Sequence, residues 1–292
     1  MTGPLGVADL GRRAYAEVLE LQRDLCRRRV AGQVSQDLLL LVEHDPVYTM
    51  GRGTRATSLP VSPAELEEGG AAVFEVERGG DVTYHGPGQL VGYPIIDLTQ
   101  QRQDLHWYMR ALEGALIDAL AVLGIEAERN PGLTGVWTAG RKIASIGIHV
   151  KQWVTMHGFA LNVTTDLSAF GRIVPCGIDH VVMTSVAAEL PGRDAALLRD
   201  SARAAVVAAF AARFDRIPAE VDADALLAAA GEASIVVVGL TERWRRHGLG
   251  PARTALATRA RVPALLVRGG SRPSGLAPAG SETRFTWTLA TP

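Results

Sequence analysis

RGGDVTYHGPGQLVGYP, residues 78–94, sets five glycines and two prolines around a Thr-Tyr-His core. Glycine opens backbone conformations closed to other residues and lets a ligand approach the main chain closely. So many glycines in so short a span exceed what tight turns require. After Gly86 the order misses the dinucleotide-binding pattern by one residue, and no Gly-Lys-Ser/Thr follows, so the stretch is not a P-loop. The alternating segment AVFEVERGG enters it as a short strand, and QLVGYPIIDL leaves it as another.

Upstream, RAYAEVLELQRDLCRRRV (13–30) reads as an amphipathic helix with Val18, Leu21, Leu25 and Cys26 toward a core. DLLLLVEH (37–44) is a continuous apolar run of strand length, and DPVYTMGRG turns the chain back. VSPAELEEGG carries Ser62 as a helix cap, Pro63 at the first helical position and a glycine pair as the stop. Downstream, Leu105, Met109, Leu112, Leu116, Leu120 and Leu123 recur at steps of three and four, a long helix that Asp104 can cap. GVWTAGRKIASIGIHV is strand-turn-strand bending at Ala139-Gly140, VTMHGFALNV is a strand, and 194–214 is an Ala-rich helix. Strands cluster with helices irregularly interspersed, which points to an α+β fold with a mixed sheet. A boundary is expected between 217 and 231, dividing a domain over 1–222 from an extension over 231–292. ASIVVVGL and VPALLVR are fresh strands in that extension.

The 292 residues are 47% hydrophobic, ordinary for a globular chain, and no window reaches the apolar length of a membrane span. MTGPLGVADLGRR lacks a basic leader before an apolar run, so no secretory signal is expected. Two cysteines make no disulfide framework, and a reducing cytoplasm is the natural setting. Charge is uneven: residues 231–292 hold nine Arg against three Glu, while the preceding part is net acidic. A basic tail can meet nucleic acid or an acidic protein, but a solvated surface explains it equally, and neither a nucleic-acid nor a membrane partner is expected.

Of the 30 basic residues only Lys142 and Lys151 are lysine. Arginine stays protonated, whereas a desolvated amine can act as a base, so a lysine retained in so Arg-rich a chain invites a chemical role. Lys142 opens an apolar strand in GRKIASIG; Lys151 follows a strand beside Gln152 and reads as solvated. Cys176 stands in RIVPCGID between Pro175 and Gly177, at a turn where a thiol can enter a cleft, although a free cysteine also serves as a small buried hydrophobe. Cys26, in a Leu-rich helix, fits the buried reading. A nucleophilic cysteine needs a cation or base nearby, and Lys142, His85, His149, His157 and His180 are the candidates. His44 and His180 are otherwise polar residues near strand ends. No Cys-x-x-Cys, His-Glu-x-x-His or Gly-x-Ser-x-Gly occurs, so neither a zinc site nor a serine hydrolase is supported, and no cofactor is implied.

Taken together, RGGDVTYHGPGQLVGYP, RKIASIGIHV, MHGFALNV and IVPCGI resemble, in order, motifs of the lipoyl(octanoyl) transferases over roughly residues 8–215. The resemblance implies the biotin/lipoate protein ligase catalytic-domain fold. It also implies transfer of an octanoyl group from acyl carrier protein to a lysine of lipoate-dependent enzymes: the lipoyl domains of 2-oxoacid dehydrogenases and the glycine cleavage H protein. The family's acyl-thioester cysteine falls on Cys176 and its partner lysine on Lys142. Its substrate-binding loop falls on Arg78, Gly79, Gly80, Asp81, Val82, Thr83, Tyr84 and His85. Two further acyl-site segments fall on Ala144, Ser145 and Ile146, and on His157, Gly158 and Phe159. The glycines of the opening stretch would then wall an acyl chain, with His85 at its end.

The mechanism so implied runs through an octanoyl-Cys176 thioester, with Lys142 as its base or electrostatic support. Two rivals share the fold or the pocket: an ATP-dependent lipoate or biotin protein ligase, and a non-catalytic module that binds acyl carrier protein. Beyond the family's span, residues 233–269 weakly resemble the closing β-α-β piece of universal stress proteins. Pro251 after Gly250 breaks the phosphate-binding end of that pattern.

Overall fold

In the computed structural model, residues 3–177, 181–230, 236–240 and 264–268 are described. The chain divides into two compact units, the first ending at Leu226 and the second starting at Leu227.

The first unit is built on a seven-stranded mixed sheet. In chain order its strands are β1 (Gly3–Arg13), β2 (Asp37–His44), β6 (Gln89–Ile95), β7 (Val136–Thr138), β8 (Arg141–Lys151), β9 (Val154–Asn162) and β10 (Arg216–Glu220). They lie in the order β10-β1-β2-β6-β9-β8-β7. The β10-β1 and β1-β2 pairs are parallel and all others antiparallel. A second sheet of β3 (Val47–Met50), β4 (Ala72–Glu75) and β5 (Thr83–His85) runs β4-β3-β5, one pair parallel and one antiparallel. Mixed sheets with irregular helices match the expected α+β class.

Helix α3 (Leu105–Leu123) and helix α5 (Ala195–Arg213) pack together on one face of the large sheet, and α1 (Tyr15–Val30) covers β6 and β9. This explains the uninterrupted apolar run of β2. Side chains alternate faces along a strand, so Leu39 and Leu41 join the core beneath α3 and α5, while Leu38 and Leu40 are equally buried on the other face. The expected caps are present. Asp104 accepts from Trp107 N at 3.0 Å, and Ser62 and Glu65 form a reciprocal capping box that starts α2 (Pro63–Glu68). The Ala139-Gly140 bend between β7 and β8 has both residues at positive φ, the hairpin turn that suits strand twist. In α1, Val18, Leu21, Leu25 and Cys26 are all buried, as the periodicity predicts.

Several elements go beyond the sequence reading, among them β3 where DPVYTMGRG is expected only to turn the chain back, and β5 inside the glycine-rich stretch. β1 precedes the first expected helix, and its pattern is masked by Gly residues and by a register shift between Asp9 and Arg12. β10 falls inside the segment read as a boundary; it pairs with β1 and is pinned by buried charge. Asp37 accepts from Arg29 Nη2 and Arg216 Nε, each at 3.0 Å, and from the Asp97 N–H at 3.1 Å. A short α4 (Val186–Glu189) and α6 (Ala223–Ala230) also form.

In the second unit the two expected strands, β11 (Val236–Leu240) and β12 (Ala264–Arg268), pair in parallel. The helix expected between them, with Gly250 and Pro251, lies outside the described residues. Among the described residues no helix is long and apolar enough to cross a membrane.

Candidate active site

The glycine-rich stretch is the seam between the two sheets. Gly79 N donates to Ile148 O of β8 at 2.8 Å, Arg52 N to Arg78 O at 3.0 Å, and Gly53 N to Gly80 O at 3.0 Å. Further on, Gly88 O receives Val163 N and Thr164 N, and Gly88 N donates to Glu43 Oε2 at 2.9 Å. The buried Arg78 guanidinium holds the fold of the loop, donating to the Asp81 carbonyl at 2.8 Å and to the Thr49 carbonyl at 2.6 Å. At Gly92 the absence of a side chain is a packing requirement. Gly92 faces Phe159 across the β6-β9 ladder, and a β-carbon there would overlap the Phe159 ring.

Between this seam and the β8-β9 hairpin lies a cavity of about 370 Å³, within the usual range for a small-molecule site. Its apolar wall includes Val91, Met109, Leu133, Ile146, Ile148 and Phe159, and its polar side includes Tyr15, Arg78, Asp81, Thr83, His85 and His157. Of the residues assigned to substrate binding, Arg78, Gly79, Gly80, Asp81, Thr83, His85, Ser145, Ile146, His157, Gly158 and Phe159 line this cavity. Val82, Tyr84 and Ala144 do not. Val82 and Tyr84 pack with Tyr48, Leu66 and Phe170 under the small sheet, and Ala144 lies in the main core. The cause is strand alternation: β5 sends Thr83 and His85 to the cavity and Tyr84 to the opposite side.

Both cavity histidines are uncharged. Burial, with His44 alongside, holds His85 at a pKa of about 3. Burial also holds His157 well below the usual histidine range, against the opposing pull of Glu77. His157 takes a left-handed backbone, φ 57°, and its N–H donates to Gln22 Oε1 at 2.8 Å. Its Nε2 and the Thr83 hydroxyl are buried without a hydrogen-bond partner among the described residues. The His157 Nε2 lies 3.9 Å from Glu77 Oε2, behind the cavity wall. His44 is satisfied, with Nδ1 to Arg13 O at 3.0 Å and Nε2 to Tyr93 OH at 2.8 Å, and it is structural. His149 is half-buried on β8, and Lys151 is exposed as expected.

Lys142 is 1% exposed, at the start of β8. Its Nζ sits 5.5 Å from the centre of the Trp137 ring, and Gly135 packs against its side chain. Its main chain is clamped on both sides: Lys142 N donates to Val182 O at 2.8 Å, and Thr184 N donates to Lys142 O at 2.9 Å. The turn Pro175–Gly177, which carries Cys176, packs on β5 and on the Ala56–Ser58 turn. Val174 N donates to Ser58 O at 2.9 Å, and Asp81 braces the turn, its carboxylate receiving Ser58 Oγ at 2.6 Å and Val82 N at 2.7 Å. Any side chain on Gly177 would strike that carboxylate. The Cys176 side chain and His180 lie outside the described residues.

Sequence reasoning missed Tyr15, Met109 and Leu133 of the cavity wall, and Gly135 and Trp137 around Lys142. Glu113, which holds Gly135 N at 3.2 Å, was also missed. Tyr15, Met109, Leu133 and Glu113 come in from a distance on α1, α3 and the loop before β7, whereas Gly135 and Trp137 meet Lys142 across the β7-β8 hairpin, where Trp137 pairs with Lys142. Among the described residues no group of three or more His, Cys, Asp or Glu could hold a metal ion.

Residues 14–214 match the family model of the lipoyl protein ligase A/B catalytic domain. The chain is 57% identical over 168 residues to an octanoyltransferase of Gloeobacter violaceus, covering 58% of this chain and 73% of that one. It is 48% identical over 204 residues to an octanoyltransferase of a Nostoc species, covering 70% and 89%. Among solved structures, it is similar to a bi-partite lipoate protein ligase of Thermoplasma acidophilum (TM-score 0.61, 17% identity, covering 78% of this chain and 91% of that one). It is equally similar to a lipoate-protein ligase A bound with ATP (TM-score 0.61, 16% identity, covering 78% and 94%). At such identity the structures speak only for a shared fold, whereas the relatives near half identity or above separate transferase from ligase. The chain belongs to the lipoyl protein ligase A/B catalytic-domain family and, within it, to the octanoyltransferases.

Proposed function

We propose that this octanoyltransferase takes its acyl group from octanoyl-acyl carrier protein, holds it as a thioester on Cys176, and delivers it to a lysine amine of a lipoyl domain. Cys176 attacks as a thiolate, its proton passing to the Lys142 nitrogen. The bond from acyl carbon to Cys176 sulfur forms as the bond to the carrier's sulfur breaks, and the carrier leaves as a thiol with that proton. The target amine then attacks the new thioester, the C–N bond forms, and Cys176 is released. Dividing one transfer into two easier displacements is the usual gain of covalent catalysis. The thioester exchange is nearly isoenergetic, so the amide provides the drive.

The observation that carries this proposal is the clamp on Lys142. A buried lysine is costly unless it has a role or a partner, and its backbone is bonded to Val182 and Thr184, a few residues beyond Cys176. Cys176 and Val182 are six residues apart, a span of at most about 22 Å even when extended, which is compatible with the pairing of Cys176 and Lys142 proposed here. The cavity wall of Ile146, Ile148, Met109 and Phe159 suits a medium acyl chain. Each methylene in such a wall discriminates only modestly, so chain-length selection is leaky. The acceptors are lipoyl domains of 2-oxoacid dehydrogenases and the glycine cleavage H protein. The reaction belongs in the cytoplasm, where a nucleophilic thiol stays reduced.

Intact-mass analysis after mixing with octanoyl-carrier protein tests the proposal. One octanoyl increment is expected on the wild type and none on Cys176→Ser. A stable adduct on the serine variant at another residue would remove Cys176 from this role.

A further inference from the structure

Two backbone carbonyls determine which nitrogen of His85 carries hydrogen. Asn162 Nδ2 lies 3.0 Å from the Thr184 carbonyl oxygen. A carbonyl only accepts, so Asn162 turns its NH2 toward Thr184 and its oxygen toward Gln89. Gln89 Nε2 donates to that Oδ1 at 2.9 Å and to the Tyr84 carbonyl at 3.2 Å. Both contacts require the Gln89 NH2 on that side, which leaves its Oε1 facing His85 Nδ1 at 2.7 Å. An amide oxygen cannot donate, so Nδ1 bears the hydrogen. All three side chains are buried, Asn162 at 1% and Gln89 at 2% exposure, so water does not compete for these bonds. The far end of the ladder is tied to the proposed dyad, because Thr184 N donates to the Lys142 carbonyl.

His85 lines the cavity, and its Nε2 has no hydrogen-bond partner among the described residues. Its strand also packs on the turn that carries Cys176. We infer that Gln89 and Asn162 are positioning residues that hold His85 as its Nδ1–H tautomer, so that Nε2 presents a lone pair to the cavity and accepts an N–H of the incoming amine in the transfer step.

His85 accepts a hydrogen bond here and not the proton. With its pKa held to about 3 by burial, the ring stays uncharged and its lone pair stays available, but it is a weak base. As the amine nitrogen bonds to the acyl carbon and the bond to sulfur breaks, the amine's proton goes to the departing Cys176 thiolate. The same tautomer has no N–H to offer a thioester carbonyl, so His85 is not an oxyanion donor. The amine contact rests on the two-step transfer proposed above; the tautomer does not.

Long-range ¹H–¹⁵N imidazole correlation on the full-length protein at neutral pH tests the tautomer directly. A protonated Nδ1 and a bare Nε2 are expected for His85, and a protonated Nε2 would overturn the inference. In Gln89→Met the anchor is lost and the two tautomers are expected to mix. Acylation by octanoyl-carrier protein and transfer to lipoyl domain are then timed separately by rapid quench. Gln89→Met is expected to slow transfer about tenfold, the size of one lost hydrogen bond to a reacting group, with a smaller change in acylation. Equal losses in both steps would mark Gln89 as merely structural and overturn the positioning role. If no octanoyl-enzyme forms even in the wild type, the two-step transfer fails, and the wild-type spectrum still decides the tautomer. That spectrum also decides it should Gln89→Met not fold.

Discussion

Gly135 lies directly against the Lys142 side chain: a β-carbon on Gly135 would come within 2.8 Å of Lys142 Cε and 3.3 Å of Nζ. Gly135 also sits at φ 125°, a conformation L side chains rarely adopt. Gly135→Ala therefore meets both backbone strain, about 1–3 kcal/mol, and a steric push on the lysine. The expected outcome is a lower urea midpoint together with a loss of octanoyl-enzyme formation larger than the loss of stability explains. Unchanged acylation by mass spectrometry would show that the Lys142 position is not critical.

Lys142→Arg separates charge from proton transfer. The site at Lys142 is closed by Trp137 and Gly135, and arginine is both larger and permanently protonated. Acylation is expected to fall about 100-fold or more, the range of a lost acid–base group, nearly as far as in Lys142→Ala. Near-normal rates for the arginine variant would show that positive charge alone supports the thiolate.

Asp37→Ala tests the tie that holds β10 to the sheet. Removing the carboxylate leaves Arg29 and Arg216, both largely buried, without their shared counter-charge. A loss of about 3–5 kcal/mol is expected, as for other broken buried pairs, read as a drop in urea midpoint. A loss below 1 kcal/mol, the scale of a surface pair, would show that water reaches both guanidinium groups.

Acid is expected to destabilise the fold well before its carboxylates are protonated. Unfolded histidines take up protons below about pH 6.5. In the fold, burial holds His44 to about 4, against a hydrogen bond to the Arg13 carbonyl, and His85 to about 3. His157 is depressed as well. Between those values the unfolded chain binds more protons than the folded one, so stability is full above about pH 6.5 and falls as pH drops through that window. Each histidine contributes up to about 1.4 kcal/mol per pH unit there. Urea midpoints at pH 7.5 and 5 check it, and an unchanged midpoint would mean that these rings are charged or solvated in the fold.

Removal of residues 231–292 is expected to leave octanoyl transfer to a lipoyl domain intact, since the family match covers residues 14–214 and β10 closes the sheet at Glu220. The nine arginines removed with that segment would, if they meet an acidic carrier protein, add salt-sensitive attraction. Salt-dependent titration with octanoyl-carrier protein reads this separately. Equal affinity and equal salt slope with and without the segment would rule out that attraction.

Local chemistry was legible along the chain. The apolar run at 37–44, the steps of three and four through 105–123 and the Ser62 and Asp104 caps each report forces acting within a few residues, and each element formed where they point. Lys142 was conspicuous because lysine is scarce here, and four ordered motifs were enough to indicate the family. Other features answer to contacts between distant segments, and these only the tertiary structure decided. β1 forms because it pairs with β2 and β10, and β10 because it pairs with β1, so neither needs a strong pattern of its own. Val82, Tyr84 and Ala144 belong to motifs yet face away from the cavity, because strand alternation sends neighbours to opposite sides. The tautomer of His85 depends on Thr184, a carbonyl about a hundred residues away, through two amides whose orientation has no local cause. Periodicity and capping are short-range and written in sequence; the sharing of hydrogen bonds in a dry interior exists only once the chain has closed on itself.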